Sequence, residues 1–252
     1  MGISNGAAKS LYEELVFAHQ QQHMTIHQAG SFLPWHRYYT HLFSRLLRQE
    51  CGYQAPFPWW DETKDSGNFT SFELFSPQYF GSLPVVNKEG QGSCVTNGAF
   101  AGKVLHIGPS EQNTDHCLSR GEDRSVTAQV SKVYVDTCNS RTTYQDMREC
   151  VEFGPHGYGH NGLGPVMAAV SGSPSDPAFF MHHSFIDRNW AAWQLKQPER
   201  RNTIDSCAEP GSPCPQQLTK EFPLSSLGIR PNVTVGDILD TQGEWLCYKY
   251  DY

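Results

Sequence analysis

The sequence predicts a mainly α protein, a four-helix bundle whose helices are joined by long, disulfide-stapled loops. Apolar residues recur at helical spacing in two segments near the N-terminus and one near the C-terminus. Glycine and proline crowd the stretch between them, and eight cysteines, an even number, are scattered without a C-x-x-C pair.

Ser10-Leu11-Tyr12-Glu13 has the form of a capping box, with a hydroxyl and a carboxylate placed to satisfy orphan backbone donors. Leu11, Leu15, Ala18 and Gln22 follow at helical spacing and predict a first helix over 11–23, with His19 on its inward face. After a loop through Gly30, the residues Tyr39, Leu42, Phe43, Leu46 and Leu47 repeat with a period near 3.6, and Gly52 supplies a stop. A second helix over 35–51 results. From 56 to about 150 the apolar stretches are short, as at 72–80, so long excursions stapled by cysteines fit better than a regular sheet.

His156 and His160 have the spacing of one helical face. The glycines at Gly157, Gly159, Gly162 and Gly164 disfavour a regular helix there, so propensity alone does not predict one, and bound metal is expected to hold the turn. The last strong helix begins at Asp176-Pro177, an N-cap with proline at the first helical position, and continues through Phe180, His183, Trp190 and Trp193. Beyond Lys196 the chain is Pro-rich and irregular, with no repeat and no sign of a second domain.

At 252 residues the chain can bury a substantial core. A net charge of -7, with no basic cluster longer than Arg200-Arg201, argues against nucleic acid as a partner. No apolar run approaches the roughly 20 residues that span a bilayer, and Met1-Gly2-Ile3-Ser4 lacks the basic and apolar parts of a signal peptide. The cysteine spacing fits four disulfides better than zinc, and the sequons Asn68-Phe69-Thr70 and Asn232-Val233-Thr234 point to a secretory route. A secreted protein whose leader was removed is the expectation; buried thiols and chance sequons in a cytosolic protein are the alternative.

The eleven histidines fall unevenly, with His19, His23, His27, His36 and His41 in one stretch and His156, His160, His182 and His183 in another. Two clusters imply two metal subsites. His19 on a helix, His27 in the loop and His36 on the next helix can converge, with His23 the rival to His19. His156 and His160 share a face that His183 can reach from the last helix. Neutral imidazoles with no carboxylate in either motif suit copper or zinc, not a di-iron bundle. A hydrolytic dizinc site would want a bridging acid, so copper is the better fit and dizinc the alternative.

At these residues the chain resembles the type-3 copper proteins, specifically the short fungal tyrosinase and catechol oxidase group. Phe32-Leu33-Pro34-Trp35-His36-Arg37, preceded by His27, is similar to the first-copper signature. Asp176-Pro177-Ala178-Phe179-Phe180-Met181-His182-His183, closed by Asp187, is similar to the second. Gly154-Pro155-His156 and the terminal Tyr248-Lys249-Tyr250 extend the resemblance over 11–252. It implies a single catalytic domain over 1–252, without an N-terminal extension or a C-terminal shielding domain. It also implies two copper ions, with dioxygen as co-substrate.

The resemblance assigns His19, His27 and His36 to one copper and His156, His160 and His183 to the other, leaving His23 and His182 as neighbours. The implied activity is oxidation of small phenolic or catecholic substrates: o-diphenols or o-aminophenols to o-quinones, with ortho-hydroxylation of monophenols as the harder step. Arg37 and Asp187 are expected to orient helices and ligands.

Three departures bear on function. Thr25 stands where many relatives carry a thioether-forming cysteine, Ser44 replaces a signature glutamate, and Gly157 replaces an asparagine associated with phenol deprotonation. Asn161 and Glu152 are the remaining candidates to assist that proton transfer. Diphenol oxidation is therefore favoured over hydroxylation. A hemocyanin-like dioxygen carrier or a silent copper-binding relative is the alternative, against which the glycines above the second site and an entrance along 167–175 favour an open enzyme site.

Overall fold

The computed structural model describes residues 2–86 and 92–251. Helix α1 (Leu11–Ile26) opens as expected, the Ser10 hydroxyl accepting from Glu13 N at 3.2 Å. The return half of the capping box differs. Glu13 accepts instead from Lys9 N at 2.6 Å and, through its other oxygen, from His106 N at 3.0 Å, tying the helix start to a distant loop. Helix α2 (Phe32–Cys51) begins three residues before the sequence-based start. Pro34 sits within its first turn, where a missing N–H leaves nothing unpaired, and Gly52 closes it with φ 67°.

The middle of the chain is made of 3-10 turns such as Glu62–Lys64, together with two two-residue antiparallel ladders, Ser93–Cys94 with Ser119–Arg120 and Val104–Leu105 with His116–Cys117. It also contains helices the sequence did not reveal: a single turn α3 (Arg124–Thr127), then α4 (Lys132–Asn139) and α5 (Tyr144–Val151). Ser131 and Thr143 cap α4 and α5, and the Cys138–Cys150 disulfide pins the two together. At eight residues each, they depend on caps and cross-link more than on propensity.

After α5 comes a π-helical turn (Glu152–His156), then α6 (Gly157–Leu163) and α7 (Pro165–Ala168). The regular helix that the glycines argued against does form. The last long helix, α8 (Ala178–Leu195), starts where Asp176 Oδ1 accepts from Ala178 N at 2.9 Å, and a short α9 (Val235–Ile238) lies in the tail. No described helix is long and apolar enough to cross a membrane.

The expectation of four disulfides is corrected to three: Cys94–Cys117, Cys138–Cys150 and Cys207–Cys214. Cys51, at the end of α2, and Cys247, in the tail, are both solvent-exposed and free.

The core forms where α1, α2 and α8 meet. Tyr39 Oη on α2 donates to the Leu15 carbonyl of α1 at 2.8 Å, and Phe43 of α2 stacks on Phe180 of α8 at 3.7 Å between centroids. Arg37, 1% exposed, carries the tail onto this core. Its Nε donates to Asp187 Oδ1 at 2.5 Å, its Nη1 to the carbonyls of Ile238 and Leu239, and both Nη atoms to Gln194 Oε1, while its guanidinium lies 3.7 Å over the Trp190 ring. The other oxygen of Asp187 accepts from Tyr248 and from Tyr250, the latter at 2.6 Å. Asp187 is thus half of a buried pair, not a surface ion.

Removing one partner of such a pair strands the other without solvent. Arg37→Ala is therefore expected to lower unfolding stability by about 3–5 kcal/mol in urea titration. A loss below about 1 kcal/mol would contradict this account of how the tail is held.

Candidate metal centre

Four helices deliver histidines to one buried region. His19 comes from α1, His27 from the residue that ends it, His36 from α2, His156 and His160 from the π turn and α6, and His183 from α8. The ring nitrogens of His19, His27 and His36 lie within 4.8 Å of one another. A second set with the same spacing comprises His156, His160, His182 and His183. The two groups face each other, His36 stacking on His183 at 4.4 Å and 11°.

The orientation of the rings is set by backbone carbonyls. His19 Nδ1 donates to Ser171 O at 3.2 Å, His27 Nδ1 to His23 O at 2.8 Å and His36 Nδ1 to Phe32 O at 2.8 Å. In the second group, His156 Nδ1 donates to Glu152 O at 3.0 Å and His160 Nδ1 to Met167 O at 2.7 Å. A carbonyl oxygen only accepts, so the proton of each neutral ring sits on Nδ1 and the lone pair on Nε2.

Three of those Nε2 atoms have no partner. His19, His36 and His156 Nε2 are buried without a partner, and His160 Nε2 stands 3.1 Å from His183 Nε2. Inward lone pairs grouped at this spacing fit metal ions, and the outer hydrogen bonds are those that fix imidazole ligands. The donor set is therefore suited to two copper ions.

Burial keeps these rings neutral. Desolvation, reinforced by neighbouring imidazoles, pushes His19, His36, His156, His160 and His183 well below the usual imidazole range. Desolvation is also the largest cause for His27, pushed down to about 4. Phe179, whose ring is 4.1 Å from His183, and Phe32, 4.7 Å from both His36 and His156, wall the region against water. His27 is the one residue of the six that is not fully buried.

The other expected residues are placed as follows. His23 turns away, its Nδ1 donating to Gln20 O at 2.7 Å and its Nε2 lying 3.7 Å from Glu111. Gly157 opens α6 with only Glu152 O near the position of an added Cβ, at 3.4 Å. Asn161 is exposed. Glu152 is not a solvated loop residue: it is 4% exposed, its Oε1 accepts from Gln28 N at 2.5 Å and its Oε2 from Arg148 Nη1 at 2.9 Å. It thereby ties the loop after His27 to the turn before His156.

His182, expected as a neighbour of the ligands, stands inside the second group, and Glu62, which escaped the sequence, is fully buried and forms a 2.6 Å hydrogen bond with His182 Nδ1. A lone acid 120 residues from its partner gives no local signal. The neighbouring Gly159 makes the contact possible, since a Cβ there would lie 2.4 Å from His182 Cε1 and 3.0 Å from Glu62 Oε2.

Comparison with known proteins agrees with this arrangement. Residues 9–196 match the family model described as the common central domain of tyrosinase. The tyrosinase-like protein phomQ1 of Diaporthe leptostromiformis is 30% identical, over 96% of this chain and 68% of that protein. Tyrosinase P of Aspergillus terreus is also 30% identical, over 79% of this chain and 68% of its own length. A solved structure of polyphenol oxidase from Thermothelomyces thermophila, a glycine-to-asparagine mutant, superposes with a TM-score of 0.85 at 25% identity, covering 97% of this chain and 78% of that one.

Two outcomes follow for the metal-free protein. Gly159→Ala is expected to cost about 1–3 kcal/mol in urea unfolding through overpacking, while Gly157→Ala is neutral or stabilising by up to about 1 kcal/mol; equal effects would contradict the packing described. The second outcome concerns acid. Because the folded state depresses these histidine pKa values, the unfolded chain binds more protons below the ordinary value of 6.5, and stability falls as pH drops from there through about 4, where His27 titrates. Thermal unfolding of the metal-free protein between pH 8 and 4 measures this, and a Tm flat from pH 7 to 4 would contradict it.

Proposed function

The chain belongs to the tyrosinase family of type-3 dicopper oxidases, and from that we propose that it oxidises small o-diphenols or o-aminophenols to o-quinones with dioxygen. The observation that carries the reading is the pair of facing histidine groups whose ring nitrogens gather inward, those of His19, His36 and His156 with Nε2 unpartnered. In it, His19, His27 and His36 hold one copper ion and His156, His160 and His183 the other. Bound there, the ions would supply the redox chemistry that passes two electrons from the phenolic substrate to dioxygen.

The chain's own residues decide which phenols can react. His27 is the least buried of the six, and the approach of a flat ring is placed on its side, as an enzyme site needs and a closed dioxygen carrier does not. Phe32 and Phe179 keep the centre dry and hold the imidazoles against rotation. A catechol needs no base stronger than solvent before it gives up electrons, whereas a monophenol must first lose its proton beside the metal pair. Gly157 offers no side chain to order a water for that step. Glu152 has both oxygens engaged, so taking a proton there would break contacts that hold the His27 loop. Asn161, exposed and next in sequence to His160, is the remaining candidate to order water for that step.

The same reading takes the chain as one catalytic domain and as a secretory protein. Three disulfides and the exposed positions of Asn68 and Asn232 support the latter.

Copper-loaded protein should consume dioxygen with catechol and release an o-quinone, and should turn over the matching monophenol at least about 100-fold more slowly. An oxygen electrode with quinone absorbance measures both rates; no catechol turnover would point to a carrier or a silent relative, and equal rates would remove the role given to Gly157. His19→Ala should lose one copper ion per chain while His23→Ala keeps two, and the reverse pattern would overturn the assignment of the first group.

A further inference from the structure

We propose that the cleft bounded by the C-terminal half of α2, by α8 and by the tail is a second small-molecule site, shaped for an aromatic carboxylate. The cleft has a volume of about 720 Å³, inside the range of roughly 300–1,000 Å³ that small-ligand sites occupy. It starts one helical turn beyond His36, at Thr40, and none of the six assigned histidines lines it. Its occupant is distinct from the phenol that reaches the metal centre, and the proposal does not depend on copper.

Three cations line this cleft without an acid to neutralise them. Arg45 and Lys249 are exposed and form no ion pair with a described residue. Arg48 donates to the Ala55 carbonyl at 3.0 Å, which leaves its charge uncompensated. The two carboxylates on the cleft wall are already engaged, Asp187 by Arg37 and Asp251 by Trp59 Nε1 at 2.8 Å. His41, pushed down to about 4 by burial first and by Arg45 next, adds no charge of its own at neutral pH. In a chain of net charge -7, cations left unmatched on one concave surface favour an anion.

The deep end of the cleft offers hydroxyls. Thr40 is 7% exposed and its Oγ1 is buried without a hydrogen-bond partner, and Ser44, 9% exposed, follows one turn later on the same face of α2. Ser44 also replaces the signature glutamate, so the wall is short of one carboxylate at this point. A carboxylate from outside would accept from both hydroxyls and face the cations. Its ring would lie against Phe57 and Trp59, from the loop after α2, and Tyr248 and Tyr250, from the tail. Trp59 and Tyr250 stand 6.0 Å apart at 83°, and the Arg188 guanidinium, 5.2 Å over Trp59, adds to the positive field. A cleft that only solvates basic side chains would explain the arginines, but not a buried hydroxyl left unpaired among them.

Calorimetric titration of the copper-loaded protein with 3-phenylpropanoate tests the proposal. One molecule per chain is expected to bind, with the same Kd after copper is removed. The uncharged 3-phenylpropanamide should bind at least about 10-fold more weakly. Arg45→Gln combined with Lys249→Gln should weaken the acid by about 10-fold and leave the copper content unchanged. No binding by the native protein, equal binding of acid and amide, or an affinity unchanged in the double variant overturns the proposal. Binding that disappears with the copper also overturns it, because the acid then sits at the metal centre.

A further variant probes the deep end. Ser44→Glu supplies the carboxylate from the chain itself and should weaken 3-phenylpropanoate at least about 10-fold; affinity equal to the native protein counts against the proposal. If circular dichroism shows that Ser44→Glu does not fold, Thr40→Val takes its place. It removes the unpaired hydroxyl at nearly constant shape and should weaken the acid about 10-fold, with unchanged affinity the contrary result.

Discussion

The hydrogen bond from an imidazole Nδ1 to a backbone carbonyl recurs at His19, His27, His36, His156 and His160. Each one fixes where the proton sits and therefore where the lone pair points, before any metal arrives. Three of the carbonyls belong to the turn preceding the histidine itself, namely His23, Phe32 and Glu152, so helical geometry alone supplies them. The other two, Ser171 and Met167, come from the segment between α6 and α8. That segment acts as a second wall that holds the first group and α6 in register. The helices are thus constrained by the centre they serve: a shift of any one would cost a buried carbonyl its donor and a buried ring its orientation.

Buried ion pairs carry the remaining load. Arg120 donates twice to Asp176, at 2.7 and 2.8 Å, and the same carboxylate caps the start of α8, so the position of His183 depends on a pair with no solvent exposure on either side. Arg37 performs the matching task at the other side, clamping α2 to α8 through Asp187 and drawing the tyrosines of the tail onto the same carboxylate. Such pairs add little net stability against an apolar alternative, but they penalise every arrangement that separates them. They act here as registry devices: the two helices that bring His36 and His183 into a 4.4 Å stack each carry one half of the Arg37–Asp187 pair.

What was legible in the sequence had a short range. The caps and periodicity of α1, α2 and α8 could be read because each is a long helix with its signals within a few residues, and the six histidines stood out because they fall in two groups along the sequence. Helices α4 and α5 were missed because eight residues, a cap and a cross-link do not make a periodic signal. Helix α6 was judged improbable on its glycines, yet Gly159 and Gly162 are there because His182 and Thr127 pack against the backbone at distances that leave no room for a Cβ. Tertiary packing outweighed propensity. Glu62 and the anchoring of Glu152 to Gln28 lay beyond reach for the same reason, since their partners are 120 and 124 residues away.

The dry walls at Phe32 and Phe179 and the missing side chain at Gly157 together describe a centre poor in bases. All of this presupposes that the inward Nε2 atoms hold two metal ions. Anomalous diffraction at the copper edge from copper-soaked crystals tests that supposition most directly. The account predicts two peaks, one within about 2.1 Å of the Nε2 atoms of His19, His27 and His36 and one equally close to those of His156, His160 and His183. A single peak, or peaks away from these nitrogens, would contradict it.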